Sequence, residues 1–238
     1  MDNASYVSLA RQSGLLRELN SIANNIANVN TTGYRRESTL FAEHVKALGS
    51  DPSVSIATTA GNYVDFSEGE IATSNNPLDF AIDGDGFFLV ETPSGPALTR
   101  AGAFALNGVG EIVDANGRRV LDQGGSPIVV PPQTKSISAT PDGTISADGQ
   151  AVGKLGIVKA DPDFLVREGD NLFRTDKGYQ PVDNPKVRQF ALEGSNVSAV
   201  AEIAKLIEVQ RTYEMGQKFL SDDDDRIKQT VRELGQGQ

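Results

Sequence analysis

Few side chains in this sequence have the type and spacing that catalysis requires. His44 is the one histidine, on the polar flank of a short amphipathic stretch, and is read as a surface residue. With no cysteine, thiolate nucleophiles, thiolate metal sites and disulfides are excluded. No serine stands in a G-x-S-x-G pattern, and no H-E-x-x-H occurs. DGDGFFL, from Asp83, has a G-x-G but lacks the third glycine and the following helix of a dinucleotide loop. Its acidic alternation stops at Asp85, short of a calcium loop, so it reads as two turns feeding a strand. Asp222–Asp225 lie inside a helical repeat, where an acidic run is a solvated face. Nothing selects a carboxylate pair for glycoside hydrolysis. The sequence predicts no catalytic residue, no metal site, no cofactor and no enzyme.

Side-chain amides form the other constellation. In NNIANVNTTGY, Asn24 to Tyr34, poor helix formers follow a stretch of good ones. Asn24 and Asn28 are one turn apart, and Asn25 lies beside an apolar stripe. Each amide offers two donors and an acceptor oxygen, so such a ladder can join neighbouring helices without apolar contact. Asn24, Asn25, Asn28, Gln210 and Arg211 are the candidate polar contacts between subunits. Gly33 is expected to serve as the left-handed cap where this helix stops.

The elements that carry these residues are two terminal helices. Leu15, Leu19, Ile22, Ile26 and Val29 alternate spacings of four and three, the pattern of a coiled-coil seam. Ser8 and Gln12 continue that register, so the seam is apolar only in its later turns. Toward the other end, Ala199, Leu206, Tyr213, Leu220, Ile227 and Leu234 recur every seventh residue. Ile203, Gln210, Gln217, Asp224 and Val231 fill the intervening seam positions. The assembly seam is therefore predicted at Leu19, Ile22, Ile26 and Val29, with Ile203, Leu206, Tyr213 and Leu220.

Between Pro52 and about Phe190, DG and NG turns separate short apolar runs such as LDFAI, GFFLV, EIVD, PIVV and AVGKLGIVK. Short strands with a turn every ten residues or so describe an all-β domain. STLFAEHVKALG spaces Phe41, Val45 and Leu48 as on one helical face, which predicts a short helix ending at Gly49. The fold class is α+β, with coiled-coil-like N- and C-terminal helices flanking an all-β central domain. The predicted organisation is 1–35 with 196–238 as a terminal helical module, 36–74 as a connecting segment with the short helix, and 75–195 as the β-rich domain. Neither seam has a partner nearby in sequence, so the two ends are expected to meet each other.

The 238 residues carry a net charge of −10 and 38% hydrophobic residues. An acidic balance weighs against nucleic acid and against anionic lipid. No apolar run reaches the roughly 18 residues of a membrane span, so no membrane insertion is expected. The N-terminal stretch lacks the basic-then-apolar order of a secretory signal peptide.

These residues also carry a family likeness. NNIANVNTTGY resembles the N-terminal motif of the axial proteins of the bacterial flagellum, the rod and hook family. LEGSNVSAVAEIAKLIEVQRTYEMGQKFL, residues 192–220, is similar to that family's C-terminal helix. NNPLDFAIDGDGFFLV and LTRAGAFALNGVGEIVDANGRRVL are similar to its β domain. Length and the short β domain are most like a proximal-rod member, with a distal-rod member as the alternative. The resemblance implies a structural subunit of the basal-body rod, stacking helically through its terminal helices and transmitting torque from motor to hook. It implies the periplasmic rod as location, export by the flagellar type III apparatus without a cleaved signal peptide, and other rod subunits and further copies of itself as partners. It also implies that the terminal helices of an isolated subunit are frayed until neighbours cover them.

Overall fold

The computed structural model describes residues 2–48 and 51–235. Helix α1 spans Asp2–Ala27, strands β1 and β2 span Glu37–Leu48 and Asp51–Val64, and helix α2 spans Ala199–Gly235. Short strands fill the sequence between β2 and α2. The architecture is α+β in the predicted order: helix, β structure, helix. Two compact units emerge. One comprises Met1–Ala27, Arg36–Asp65 and Ser198–Gln238, and the other Asn28–Arg35 with Phe66–Val197.

In the first unit α1 and α2 lie antiparallel, since Asn25 meets Glu202 at one end and Gln12 meets Tyr213 at the other. Leu15, Ile22 and Val209 are buried between them, with Leu19, Ile26, Leu206 and Tyr213 packed around. A bridge of 2.8 Å from Lys205 to Glu18 flanks the pair. Among the described residues three apolar side chains are fully buried in this pair, a thin core, and helix pairs of that kind depend on further burial for their stability.

The stretch expected as a short helix is instead strand β1, paired antiparallel with β2 from Glu37↔Val64 to Leu48↔Asp51. The spacing of Phe41, Val45 and Leu48 is compatible with one helical face, but the partner segment is rich in β-branched Val54, Ile56, Thr58 and Thr59. Long-range pairing with such a segment outweighs a weak local preference. A register shift between Leu40 and Phe41 sits opposite Gly61, where a bulge is accommodated. Phe41 seats on Gly14 of α1, where a Cβ would come 2.7 Å from its ring. Gly49, the expected helix stop, lies outside the described residues. Residues 36–65 thus belong with the helices rather than forming a separate connector, and residues 28–35 belong with the β unit rather than with α1.

The second unit is built on a six-stranded antiparallel sheet. Its order is Leu165–Gly169, Leu172–Thr175, Gly95–Thr99, Phe87–Thr92, Ile157–Lys159 and Gln180–Pro181. A three-stranded sheet, Gln150–Lys154, Thr144–Ala147 and Ile137–Ala139, and shorter pairs complete it. Phe80, Phe88, Phe104, Ile112, Ile145 and Leu155 lie in its core, with Phe88 edge-on to Phe104 at 5.3 Å. PIVV contributes isolated bridges rather than a strand, with Ile128 and Val130 inward and Val129 outward. DGDG does turn the chain into the strand Phe87–Thr92, with positive φ at Gly84 and Gly86.

Candidate assembly surfaces and the buried charges that position them

Five of the eight predicted seam residues converge in the helix pair: Leu19, Ile22, Ile26, Leu206 and Tyr213. Leu220 is half-buried further along α2 and stands outside that cluster. Val29 falls beyond the end of α1 at Ala27, in the β unit, and does not extend the seam. Ile203 is not in the interface either, being 48% exposed. The inward positions between Leu206 and Tyr213 and before them are Val209 and Glu202, one residue earlier than the predicted Gln210 and Ile203. Both phases alternate three and four. Hydropathy favours Ile203 over a glutamate, but Glu202 is 2% exposed because its charge is met from elsewhere in the unit.

Asn25 and Arg36 supply that partner set. Arg36 Nε donates to Glu202 Oε1 at 2.6 Å, and Asn25 Nδ2 donates to Glu202 Oε2 at 3.2 Å. Asn25 Nδ2 also reaches the Glu37 carbonyl at 2.7 Å, and its Oδ1 accepts from the Glu37 N–H at 2.9 Å. Asn25 is 1% exposed. Its amide ties α1 to the first residue of β1 and the first turn of α2, all within one chain, where its type suggests a contact between subunits. Asn25→Ala is expected to loosen the helix pair by about 2–3 kcal/mol, since it strands buried polar groups. Hydrogen exchange should show protection falling across residues 15–27 while residues 87–92 stay unchanged.

Three of the other candidate polar contacts lie toward solvent. Asn24, Gln210 and Arg211 are exposed. Asn28 Oδ1 accepts from Thr31 Oγ1 at 3.1 Å in the turn after α1, and Gln210 Nε2 donates to Glu214 Oε1 at 3.2 Å. In the acidic run, Asp223 pairs with Arg226 at 2.5 Å and Asp224 with Lys228, as residues one helical turn apart do. The side chain of His44 lies outside the described residues.

The segment after α1 has a different purpose from capping. Gly33 has a left-handed φ of 67°, but it stands six residues past the helix end. A Cβ there would lie 2.4 Å from the backbone of Arg100 and Ala101, and the Gly33 N–H donates to the Glu193 carbonyl at 2.8 Å. Tyr34 is buried under the guanidinium of Arg167, 4.7 Å from its ring. Asn171 Nδ2 reaches the Thr32 carbonyl at 3.3 Å. Thr-Thr-Gly-Tyr is therefore threaded onto the β structure, and glycine is required by that close approach.

Arg35 ends the segment in a buried charge cluster. Its Nη2 lies 2.5 Å from Glu193 Oε1, and Arg100 Nε lies 2.8 Å from Glu193 Oε2. The three side chains are 1%, 3% and 1% exposed for Arg35, Arg100 and Glu193. The Gly69 N–H adds a bond to Glu193 Oε1 at 3.0 Å, while Arg100 Nη1 donates to the carbonyls of Gly84 and Gly86 at 2.8 and 2.7 Å. Burial pushes the Arg100 guanidinium below the ordinary arginine pKa; Glu193 opposes this and Arg35 adds to it. One carboxylate thus holds two arginines, and the DGDG carbonyls share the second. None of these residues stood out in the sequence, where an arginine after a motif or a glutamate in a strand has no special spacing.

Comparison with known proteins falls on the same stretches. Residues 6–35 match the family described as flagella basal body rod protein. Residues 81–147 match the flagellar hook protein FlgE/F/G D1 domain, and residues 188–233 the flagellar basal body rod FlgEFG protein C-terminal. Arg35, Arg100 and Glu193 come one from each. Among curated relatives, the flagellar basal-body rod protein FlgF of Caulobacter vibrioides is 38% identical over 242 residues, covering 99% of both chains. FlgF of Mesorhizobium japonicum is 35% identical, again with 99% of both covered. The rod protein FlgG of Bacillus subtilis is 32% identical, with 95% of this chain and 97% of its own covered. Identity of this level along the full length, with one member of the buried cluster in every matched stretch, places the chain in the flagellar basal-body rod protein family.

Proposed function

We propose that this chain is a structural subunit of the proximal part of the rod, assembling helically through α1 and α2 and passing torque from motor to hook. It has no catalytic role in this reading. Its partners are further copies of itself and other rod subunits, its place is the periplasmic rod of the basal body, and the flagellar type III apparatus exports it without a cleaved signal peptide. The observation that carries the proposal is the apolar surface left on the helix pair. Val200, Ile203 and Ile207, spaced three and four along α2, are 80%, 48% and 47% exposed. Leu9 and Leu16 on α1 are 62% and 45% exposed. Stripes of this kind on a helix pair with a thin core are surfaces for other helices. Ile203, absent from the intramolecular seam, becomes a contact to a neighbour, alongside the exposed Asn24, Gln210 and Arg211. No described helix is long and apolar enough to cross a membrane.

Ile26→Asp tests the seam. It is expected to abolish incorporation into isolated basal bodies and motility while leaving the circular dichroism of the β unit intact. Normal motility of this variant would reject the helix pair as the assembly element. Crosslinking in cells from Ile203→Cys, followed by identification of the captured subunit, separates a proximal from a distal position.

A further inference from the structure

The helix pair carries a groove that its own residues leave unfinished. Ser8, Arg11, Gln12, Leu15, Met215 and Phe219 line it, around a cavity volume of about 350 Å³. Met215 and Phe219 are 65% and 51% exposed, so the walls are apolar and open. At its floor Gln12 is 5% exposed, and its Nε2 donates to the Tyr213 carbonyl at 3.0 Å. The amide approaches so closely over Gly216 that a Cβ there would lie 1.9 Å from Nε2. Walls of this kind call for an occupant with an apolar stripe of its own, bordered by a charge that suits Arg11.

The chain itself offers such a segment. The antiparallel pairing of Asn25 with Glu202 puts Asp2 level with Asp225, so the turns from Arg226 to Gly235 run past the start of α1. Ile227, Val231 and Leu234, spaced four and three, are 41%, 64% and 73% exposed there. Arg232 flanks this stripe on one side and Glu233 on the other. Among the described residues neither Arg11, at the groove, nor Glu233 has an ion-pair partner, so the two charges complement each other. At about 1.5 Å per residue the segment is about 15 Å long and the groove about 12 Å, which suits one to the other.

We propose that this groove receives the last turns of α2, Arg226–Gly235, from a second copy of the chain. The inference deepens the assembly reading and rests on it. Tail and groove are different surfaces, so each copy that accepts a tail still offers its own, and the contact propagates head to tail rather than closing as a symmetric dimer.

The absence of cysteine from the sequence makes the test direct. Full-length Phe219→Cys and Val231→Cys chains are mixed in equal amounts and oxidised over a range of concentrations. The expected product is the disulfide between positions 219 and 231, in clear excess over both like-with-like dimers. Adding Leu234→Asp to the Val231→Cys chain should lower its yield at least about tenfold, the loss of a central interface anchor. Its thermal melt should not move, because Leu234 is exposed within the single chain. A random mixture of the three dimers, no dimer at all, or a yield indifferent to Leu234→Asp would overturn the proposal. In cells, capture by Phe219→Cys of another rod protein and never of a second copy would also overturn it, with the rod reading left standing. Absence of the chain from isolated basal bodies would instead reject that reading.

Discussion

Glu193→Gln is expected to destabilise the β unit by about 3–5 kcal/mol, because it leaves Arg35 and Arg100 buried without their shared counter-charge. The substitution is nearly isosteric, so packing is preserved and the loss is electrostatic. A glutamine could still accept from Arg35 and from the Gly69 N–H, but its amide nitrogen would then face Arg100, donor against donor. Domains of ordinary stability hold about 5–15 kcal/mol in total, so this change takes a large share of it. The urea midpoint of the β signal in circular dichroism should fall by about 2 M, at the usual dependence of about 1–3 kcal/mol per molar urea. Glu68→Gln is the control. Its carboxylate is 4.0 Å from Arg100 and 47% exposed, so its loss should cost no more than about 1 kcal/mol. If the two variants behave alike, the buried cluster does not hold the unit together.

Gly33→Ala is expected to be comparably severe, at about 3 kcal/mol or more. Two penalties combine. A left-handed φ of 67° is unfavourable for alanine, and the added methyl would meet the backbone of Arg100 and Ala101 at 2.4 Å. Backbone cannot swing aside, so the segment carrying Tyr34 and Arg35 would have to lift from the β structure. Gly216→Ala makes the informative comparison. Its Cβ would come even closer, 1.9 Å, to Gln12 Nε2, but that atom ends a flexible side chain. Gln12 can rotate away and give up one hydrogen bond to the Tyr213 carbonyl, a loss of about 1 kcal/mol. Thermal melts should rank Gly33→Ala far below Gly216→Ala. The reverse ranking would show that residues 28–35 are not anchored where the structure places them.

The seam illustrates how far periodicity reaches. Leu19, Ile22 and Ile26 could be read directly, since an apolar stripe at alternating spacings has few other uses. On α2 periodicity favours Ile203 over Glu202, because a hydropathy pattern values a side chain by its own transfer energy. The structure buries the glutamate beside Arg36 and Asn25, and leaves the isoleucine outside. Asn25 shows the same effect: an amide next to a seam reads as available to a neighbour, and its bonds go to Glu37 and Glu202 of its own chain. Strand β1 is not legible in its own sequence, because twelve residues compatible with either period are decided by what pairs with them.

By itself the sequence determined the order of helix, β structure and helix, the inward face of α1, the turns that punctuate the β unit and the family resemblance. These follow from local causes: side-chain periodicity, glycine and proline stereochemistry, and motifs of contiguous residues. Tertiary structure alone decided the phase of α2, the β1–β2 hairpin, the fixing of residues 28–35 to the β unit and the joining of Arg35 to Glu193 across 158 positions of sequence. Buried charges become favourable only when chain segments far apart meet to satisfy them, and no property of either segment on its own carries that information.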